Sequence, residues 1–170
     1  MMRLPTILLA AALLLSAPAV HADGDAAFEA TAARIRQSIA RDPGIPMDRS
    51  LYKDQLTNGH NVGEAHTAPT ERLLGVIGPE QASIRRFVSN YHLSITRFIA
   101  SGDNVVVTTD LSGGFPDGTA LKAKTALFFT IENGHIARIE TWGDPVAGQK
   151  LAGYMAKDPE VIAARAKAHQ

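Results

Sequence analysis

The chain contains no cysteine. Disulfide bonds are therefore excluded, even though an exported protein would reach a compartment in which they can form. Attachment of a lipid through a cysteine is excluded for the same reason. The chain also shows no internal repeat and no low-complexity stretch, so its 170 residues suit one domain of ordinary size.

An excess of charge of either sign is also missing. The 17 Lys and Arg residues balance the 17 Asp and Glu residues, and no run of basic residues occurs. Binding to nucleic acid or to anionic lipid through charge requires a basic surface. We therefore predict no nucleic acid partner. The 45% hydrophobic composition favours a packed core over disorder.

The apolar run near the N-terminus is too short to span a bilayer comfortably. It extends over residues 7–15, follows Arg3, and precedes Val20-His21-Ala22, whose spacing of small residues is typical of a cleavage site. A spanning helix needs about 20 apolar residues, so we favour a cleaved secretory signal over residues 1–22 rather than a membrane anchor. The predicted product is periplasmic or secreted, and has no membrane association after cleavage.

Two amphipathic helices are predicted in the first half of the chain. Asp25–Arg41 has apolar residues at spacings of four, three and four, which place them on one face: Phe28, Ala32, Ile35 and Ile39. A second helix is predicted to begin at Gly78-Pro79-Glu80, because Pro and Glu suit a first helical turn. Its apolar face continues as far as Tyr91.

Residues 45–78, between these helices, form an irregular segment. A short helix from Met47 to Leu56, capped by Asp48, is predicted there, with Leu51 and Tyr52 as its apolar contacts. Leu73–Ile77 is either an edge strand or a packed connection. Because long irregular segments are often functional, this one forms either the mouth of a site or a mobile flap without a chemical role.

Four runs rich in β-branched and aromatic residues follow between His92 and Asp144, and turn sequences separate them. Asn133-Gly134 is the strongest hairpin signal, so we predict an antiparallel meander. Strict alternation of inward and outward side chains predicts that the long strand from Leu121 to Ile131 has one apolar, dry row. In the first strand it places Arg97 on the same face as Ile95 and Ile99. The predicted dry row is Leu121, Ala123, Thr125, Leu127, Phe129 and Ile131; the last strand is predicted to group Ile136, Arg138, Glu140 and Trp142.

Two alanine-rich stretches, 146–156 and 160–168, predict helices after the last strand, with a break at Asp158-Pro159. Asp144 followed by Pro145 predicts the N-cap of the first helix. The second has little apolar surface, and we predict a tail rather than a helix that packs on a partner.

Several side chains in the predicted sheet could reach a pocket. Asp110 is either an inward base or hydrogen-bond acceptor with a raised pKa, or an outward residue at a strand end. His92 is either a proton shuttle or a capping residue, and Arg97 either binds an anionic group or extends to the sheet edge. Trp142 either lines a pocket or packs in the core. The predicted site set is catalytic Asp110, His92 and His60, with ligand-binding Tyr52, Arg97, Phe128 and Trp142.

The order of these features resembles the nuclear-transport-factor-2-like superfamily. The resemblance is carried by the helix opening Gly78-Pro79-Glu80, a strand ending Ala100–Asp103, Glu132-Asn133-Gly134-His135-Ile136 and the final Trp142-Gly143-Asp144. Within this superfamily, the sequence is most similar to the SnoaL-like and ketosteroid-isomerase-like groups. The resemblance implies an α+β fold: a cone-shaped, curved antiparallel sheet packed on N-terminal helices and enclosing an apolar pocket. The domain would span residues 23–144, followed by a C-terminal helical extension over 145–170.

The resemblance also implies positions for catalytic residues. The ketosteroid-isomerase base falls near His60, its pocket acid falls near Ala126, and the tyrosine of its first helix is missing here. The limonene-epoxide-hydrolase-like arrangement would use Asp110, but Thr108 stands at its arginine position and Thr141 at about its second carboxylate. Both sets are incomplete, which favours binding over turnover.

We therefore predict an exported SnoaL-like protein that binds a small apolar or amphipathic molecule in the cone pocket. One alternative is an isomerase, polyketide cyclase or hydrolase that works by proton transfer. Another is a dimeric interaction module that uses the sheet face, and a homodimer is compatible with either function. His60 and His66, near Asp54 and Glu64, match no strong metal-ligand spacing, so no metal and no other cofactor is predicted.

Overall fold

The structure, a computed structural model, describes residues 22–61 and 64–169. The predicted signal lies outside these residues, apart from Ala22. The elements in chain order are α1 (Ala22–Arg41), a 3-10 turn (Arg49–Leu51), β1 (Tyr52–His60), β2 (His66–Pro69), α2 (Thr70–Phe87), β3 (Ser89–Ser101), β4 (Asn104–Gly114), β5 (Ala120–Glu132), β6 (His135–Gly143), α3 (Pro145–Met155) and α4 (Pro159–Ala168).

The strands form one open sheet in the order β2-β1-β6-β5-β4-β3. The predicted antiparallel meander is confirmed as β3 to β6, and Asn133 and Gly134 form its last turn with positive φ at both residues. The sheet is mixed rather than wholly antiparallel, because β1 runs parallel to β6. The α+β class is therefore confirmed, with two more strands than predicted.

The core lies between α1 and one half of the inner sheet face. The predicted apolar face of α1 is buried and joins the dry row of β5, where Phe129 is fully buried. Val105 and Val107 of β4 and Ile139 of β6 complete this part of the core. Burial of about 1.5–3 kcal/mol per large apolar side chain makes this contact the main source of the fold's stability.

A β-bulge interrupts the predicted alternation of β3. Ile95 pairs with Thr109 and Arg97 with Thr108, so Thr96 is an extra residue on this strand. The side chains after Thr96 change faces. Phe98 packs on the core, whereas Arg97 and Ile99 are exposed on the other side. The predicted grouping of Arg97 and Ile99 with Ile95 was therefore wrong.

A second bulge does the same in β6. Thr130 pairs with Arg138 while Ile131 pairs with Ile136, which leaves Ala137 as the extra residue. Both Ile136 and Ile139 are consequently buried. The predicted grouping of Ile136 with Trp142 was wrong, since Trp142 lies on the outer face and is 51% exposed.

The segment between the first two helices is more ordered than predicted. The predicted helix from Met47 to Leu56 is reduced to the 3-10 turn, which Asp48 caps by accepting from the Ser50 backbone N–H at 3.0 Å. The rest of that stretch is β1, paired with β2 on one side and β6 on the other. Backbone pairing on both sides overrides the weak helical pattern of a polar nine-residue stretch.

Helix α2 begins at Thr70, eight residues before its predicted start. Pro79 is inside the helix, where its missing N–H removes one backbone hydrogen bond. Leu73, Leu74 and Ile77 are buried in the core, and their burial offsets that loss. Leu73–Ile77 is therefore neither a strand nor a connection.

The last two helices each begin at a proline that follows a capping aspartate; this was predicted for Asp144 and Pro145, whereas Asp158-Pro159 was predicted only as a break. Asp144 accepts from the backbone N–H groups of Val146 at 2.8 Å and Ala147 at 3.1 Å. Helix α4 is not a free tail, because Val161 is fully buried and three ion pairs join the helix and its N-cap to α2. In the part of the chain that the structure describes, no helix is long and apolar enough to cross a membrane.

Asp158 joins α4 to α2 through its charge. Its buried carboxylate accepts from Arg86 Nη2 at 2.5 Å and from the Glu160 backbone N–H at 2.9 Å. The Arg86 guanidinium lowers the pKa of Asp158 to about 2. Since the folded pKa is below the unfolded value of 3.8, this group stabilises the fold above that value. The contribution is lost as pH falls towards 2.

We expect Asp158→Asn to lower the free energy of unfolding at neutral pH and to flatten its fall between about pH 4 and about pH 2. Asparagine is a good N-cap, so the variant isolates the charge from the cap. Urea unfolding at a series of pH values measures both effects. Glu160→Gln is the control, because Glu160 is 68% exposed and contacts the same arginine at 3.0 Å. An acid limb as steep in Asp158→Asn as in the parent would contradict this prediction.

Candidate functional site

A cavity of about 510 Å³ lies over the half of the inner sheet face that α1 does not cover. Its walls are apolar side chains of the sheet and of the helices α2 and α3. They include Leu111 of β4, Ala123 and Leu127 of β5, Ile77 and Ile84 of α2, and Leu151 of α3. A volume of this size is typical of small-ligand pockets, which range over about 300–1,000 Å³.

Small side chains keep this space open. The sheet presents Ala123 and Thr125 where the neighbouring half presents Phe129. Helix α3 presents Ala147, Gly148 and Ala152 from the opposite side. With small residues on both walls, the helix lines the cavity without filling it, and none of its residues is buried.

One end of the cavity is polar. Asn58 and His60 of β1 lie there beside β6, where His60 is paired in register with Thr141. Asn58 is only 7% exposed, and its Oδ1 has no hydrogen-bond partner. The buried Thr141 Oγ1 has none either. Buried polar atoms without a partner are rare in folded proteins, so a pair of them beside a cavity is significant.

The charged side chains of the described cavity lining are paired. Glu80 accepts from Arg165 at 3.0 Å and 2.7 Å, and Arg85 forms an ion pair with Asp42 at 2.7 Å. Asp144 is held by the first backbone N–H groups of α3. Burial raises the pKa of the Tyr91 hydroxyl, which therefore stays neutral at ordinary pH. The cavity thus presents apolar walls, uncharged polar groups such as Asn58 and Thr141, and charged groups that already have partners.

The structure brings only His60 of the seven predicted site residues to the cavity lining. Tyr52 is buried in the core, where its hydroxyl donates to the Pro46 carbonyl at 2.6 Å, and burial raises its pKa. Asp110 alternates with the inward residues Thr109 and Leu111, so it is exposed on the outer face. There it pairs in register with Ser94 and Lys124.

The other four predicted residues also lie away from the cavity. His92 is exposed on β3, opposite Ser112, and the bulge places Arg97 on the outer face. Phe128 and Trp142 contact each other there edge to face, with ring centroids 6.3 Å apart. These four residues, Asp110 and Tyr52 take no part in the site proposed below.

Asn58 was not among the predicted site residues, and Thr141 was noted only as the residue that stands at about the second carboxylate position of an incomplete arrangement. Asn58 lies in β1, in a segment that was predicted to be irregular. Had residues 52–60 been predicted as a strand, a period of two would have placed Asn58 and His60 on the same face. Among residues 22–61 and 64–169, no group of three or more His, Cys, Asp or Glu side chains is placed to hold a metal ion.

No protein-family model and no curated protein matches the chain. Solved structures do match it. A protein described as a SnoaL-like polyketide cyclase, from Jannaschia sp. CCS1, is 16% identical, with a TM-score of 0.54 over 74% of this chain and 91% of that one. An NTF2-like protein of unknown function from Burkholderia pseudomallei is 15% identical, with a TM-score of 0.54 over 74% and 96%. PrhC from Penicillium brasilianum is 11% identical, with a TM-score of 0.51 over 80% and 92%.

These similarities concern the fold. The chain has the nuclear-transport-factor-2-like fold, as the sequence resemblance predicted, with a curved open sheet on helices. Many different functions occur on a common fold, so the function has to be argued from the cavity.

Proposed function

We propose that the chain is an exported protein that binds a small apolar or amphipathic molecule in the cavity between the sheet, α2 and α3. The observation that carries the proposal is the 510 Å³ cavity with apolar walls and one polar end. Contact with apolar side chains supplies affinity, and a few polar groups fix the orientation of the ligand. Export rests on the signal predicted over residues 1–22.

Binding fits the cavity better than turnover. Proton-transfer catalysis needs an acid and a base that converge on one reacting atom. Of the three residues predicted to transfer protons, His60 is at the cavity while Asp110 and His92 are on exposed strand positions elsewhere. The carboxylate of Glu80 is engaged by Arg165.

Two further functions each have one observation in their favour. An enzyme is favoured by His60, which lines the cavity at the position that the resemblance gives to the isomerase base. A homodimer through the outer sheet face is favoured by Ile99 and Trp142, which are 50% and 51% exposed there. Native mass spectrometry of the protein from its own compartment separates these cases. It reports the subunit number and the mass of any retained molecule. A molecule whose mass does not change while it is bound and released argues against turnover.

Filling the cavity tests the proposal directly. We expect Ala123→Phe to weaken binding of the neutral apolar dye N-phenyl-1-naphthylamine by about tenfold or more, because the added ring occupies the ligand volume. Dye fluorescence measures the affinity, and circular dichroism confirms the fold. Ala126→Phe is the matched control, since Ala126 lies on the other face of β5, opposite Trp142. Equal dye affinity in both variants and the parent would contradict a ligand in this cavity.

A further inference from the structure

We infer that the cavity selects a neutral ligand whose head group carries an O–H or N–H donor, and that Asn58 and Thr141 recognise it. This inference rests on the proposed function, because it specifies the chemistry of the molecule bound in the same cavity. A hydroxyl group fits best, since it can donate to one protein atom and accept from another.

Asn58 supplies the acceptor. Its side chain lies at the polar end of the cavity, and the residue is only 7% exposed to solvent. No hydrogen-bond donor reaches its Oδ1. Leaving a buried acceptor unpaired lowers stability, whereas an apolar side chain at the same place would avoid that cost. Buried polar atoms without a partner are expected mainly at functional sites, where a ligand supplies the missing hydrogen bond.

Thr141 differs from the other threonines of the sheet. Thr109 and Thr125 share a hydrogen bond of 2.6 Å across neighbouring strands, and Thr96 and Thr108 share one of 2.7 Å. The Thr141 hydroxyl is buried and has no such partner. It lies on β6 next to the strand that carries Asn58, and both residues line the cavity. A hydroxyl bound between them would accept from Thr141 and donate to Asn58.

The electrostatics of the lining favour a neutral head group. The guanidinium groups of Arg85 and Arg165 are bound by the carboxylates of Asp42 and Glu80. A charged head group would lose its hydration in this cavity, where both guanidinium groups and the Glu80 carboxylate are ion-paired and Asp144 accepts from backbone N–H groups of α3. A neutral donor loses much less on entering.

Three probes of similar size separate these features: 2-naphthol, 2-methylnaphthalene and 2-naphthoate, each measured by displacement of N-phenyl-1-naphthylamine. We expect the parent protein to bind 2-naphthol about tenfold more tightly than 2-methylnaphthalene, because only the naphthol satisfies the buried acceptor. We expect 2-naphthoate to bind most weakly. Thr141→Val and Asn58→Leu should each remove most of the preference for naphthol while still binding 2-methylnaphthalene.

The unliganded variants provide a second readout. Thr141→Val removes a buried hydroxyl that has no partner, so the melting temperature should rise. If the hydroxyl had a structural role only, the same change would lower it. Thr108→Val is the control, because Thr108 is paired with Thr96 on the outer sheet face. It should leave the naphthol preference unchanged.

The outcomes distinguish this inference from the proposed function. If the parent binds 2-naphthol and 2-methylnaphthalene equally, and Ala123→Phe abolishes both, the cavity binds ligands but the inference is wrong. A naphthol preference that survives in both Thr141→Val and Asn58→Leu also overturns it, as does tightest binding of 2-naphthoate. If the folded parent binds no probe at all, the proposed function fails and this inference with it.

Discussion

Replacing Phe129 by alanine is expected to lower the free energy of unfolding by about 3–5 kcal/mol, the usual cost of removing a buried phenylalanine side chain. Phe129 is fully buried at the centre of the core, with Val105 and Ile139 on the strands beside it. No neighbouring side chain can fill the gap without moving the sheet or α1. The loss is a large part of the total stability of an ordinary domain, which is about 5–15 kcal/mol.

Phe128 is the matched control, one residue earlier on the same strand. It lies on the outer face, is 37% exposed and contacts Trp142 at its edge. Phe128→Ala should therefore cost clearly less than Phe129→Ala, because it removes one edge-to-face contact, worth about 0.5–1.5 kcal/mol, and the burial of a ring that is already partly exposed. Urea unfolding with an unchanged slope measures both losses. Equal losses would show that β5 does not present its two faces as described.

The opposite environments of these two neighbours follow from the alternation of apolar and polar residues in the sequence. The row from Leu121 to Ile131 and the apolar face of α1 were predicted residue by residue, and both line the inner side of the fold. Their patterns have the strict periods of two and of 3.6 that one buried face imposes. Where one face of an element is buried, the spacing of apolar residues in the sequence predicts which side chains point inward.

The predicted alternation is wrong where one inserted residue reverses it. The extra residues Thr96 and Ala137 create bulges, and each bulge exchanges inner and outer faces for the rest of its strand. No residue type marks these positions, because a bulge is fixed by the hydrogen-bond register of the neighbouring strand. β1 was missed for a similar reason, since its pairing with β6 joins residues about 80 positions apart in the sequence.

His60 apart, the residues of the candidate site were not predicted, because charged and aromatic side chains give the stronger sequence signals. Asp110, Arg97 and Trp142 have the chemistry of a site but lie on the solvent face of the sheet. The cavity exists because its walls lack large side chains at positions such as Ala123 and Gly148, which leave space for a ligand. Small residues in a sequence do not predict a cavity, because only the fold shows which of them face one another.

Gly113 is the position where a single methyl group should disturb both the fold and the cavity wall. It lies near the end of β4 with φ of +157°, and an added Cβ would be 2.4 Å from Val88 Cγ1 and 2.9 Å from the Ser89 carbonyl oxygen. The second contact is with backbone, so the clash cannot be relieved by a change of rotamer. Val88 belongs to the small core against which Leu151 of α3 packs.

We therefore expect Gly113→Ala to lower the free energy of unfolding by about 2–4 kcal/mol, which combines backbone strain with forced displacement of packed atoms. Gly118→Ala separates the two causes, since Gly118 has φ of +81° and no atom within 4 Å of an added Cβ. It should cost only about 1–2 kcal/mol, the penalty of a left-handed backbone. Urea unfolding gives both values, and dye binding to Gly113→Ala should weaken as α3 loses its support. Equal losses in the two variants would mean that β4 and the start of β3 are not in close contact at Gly113.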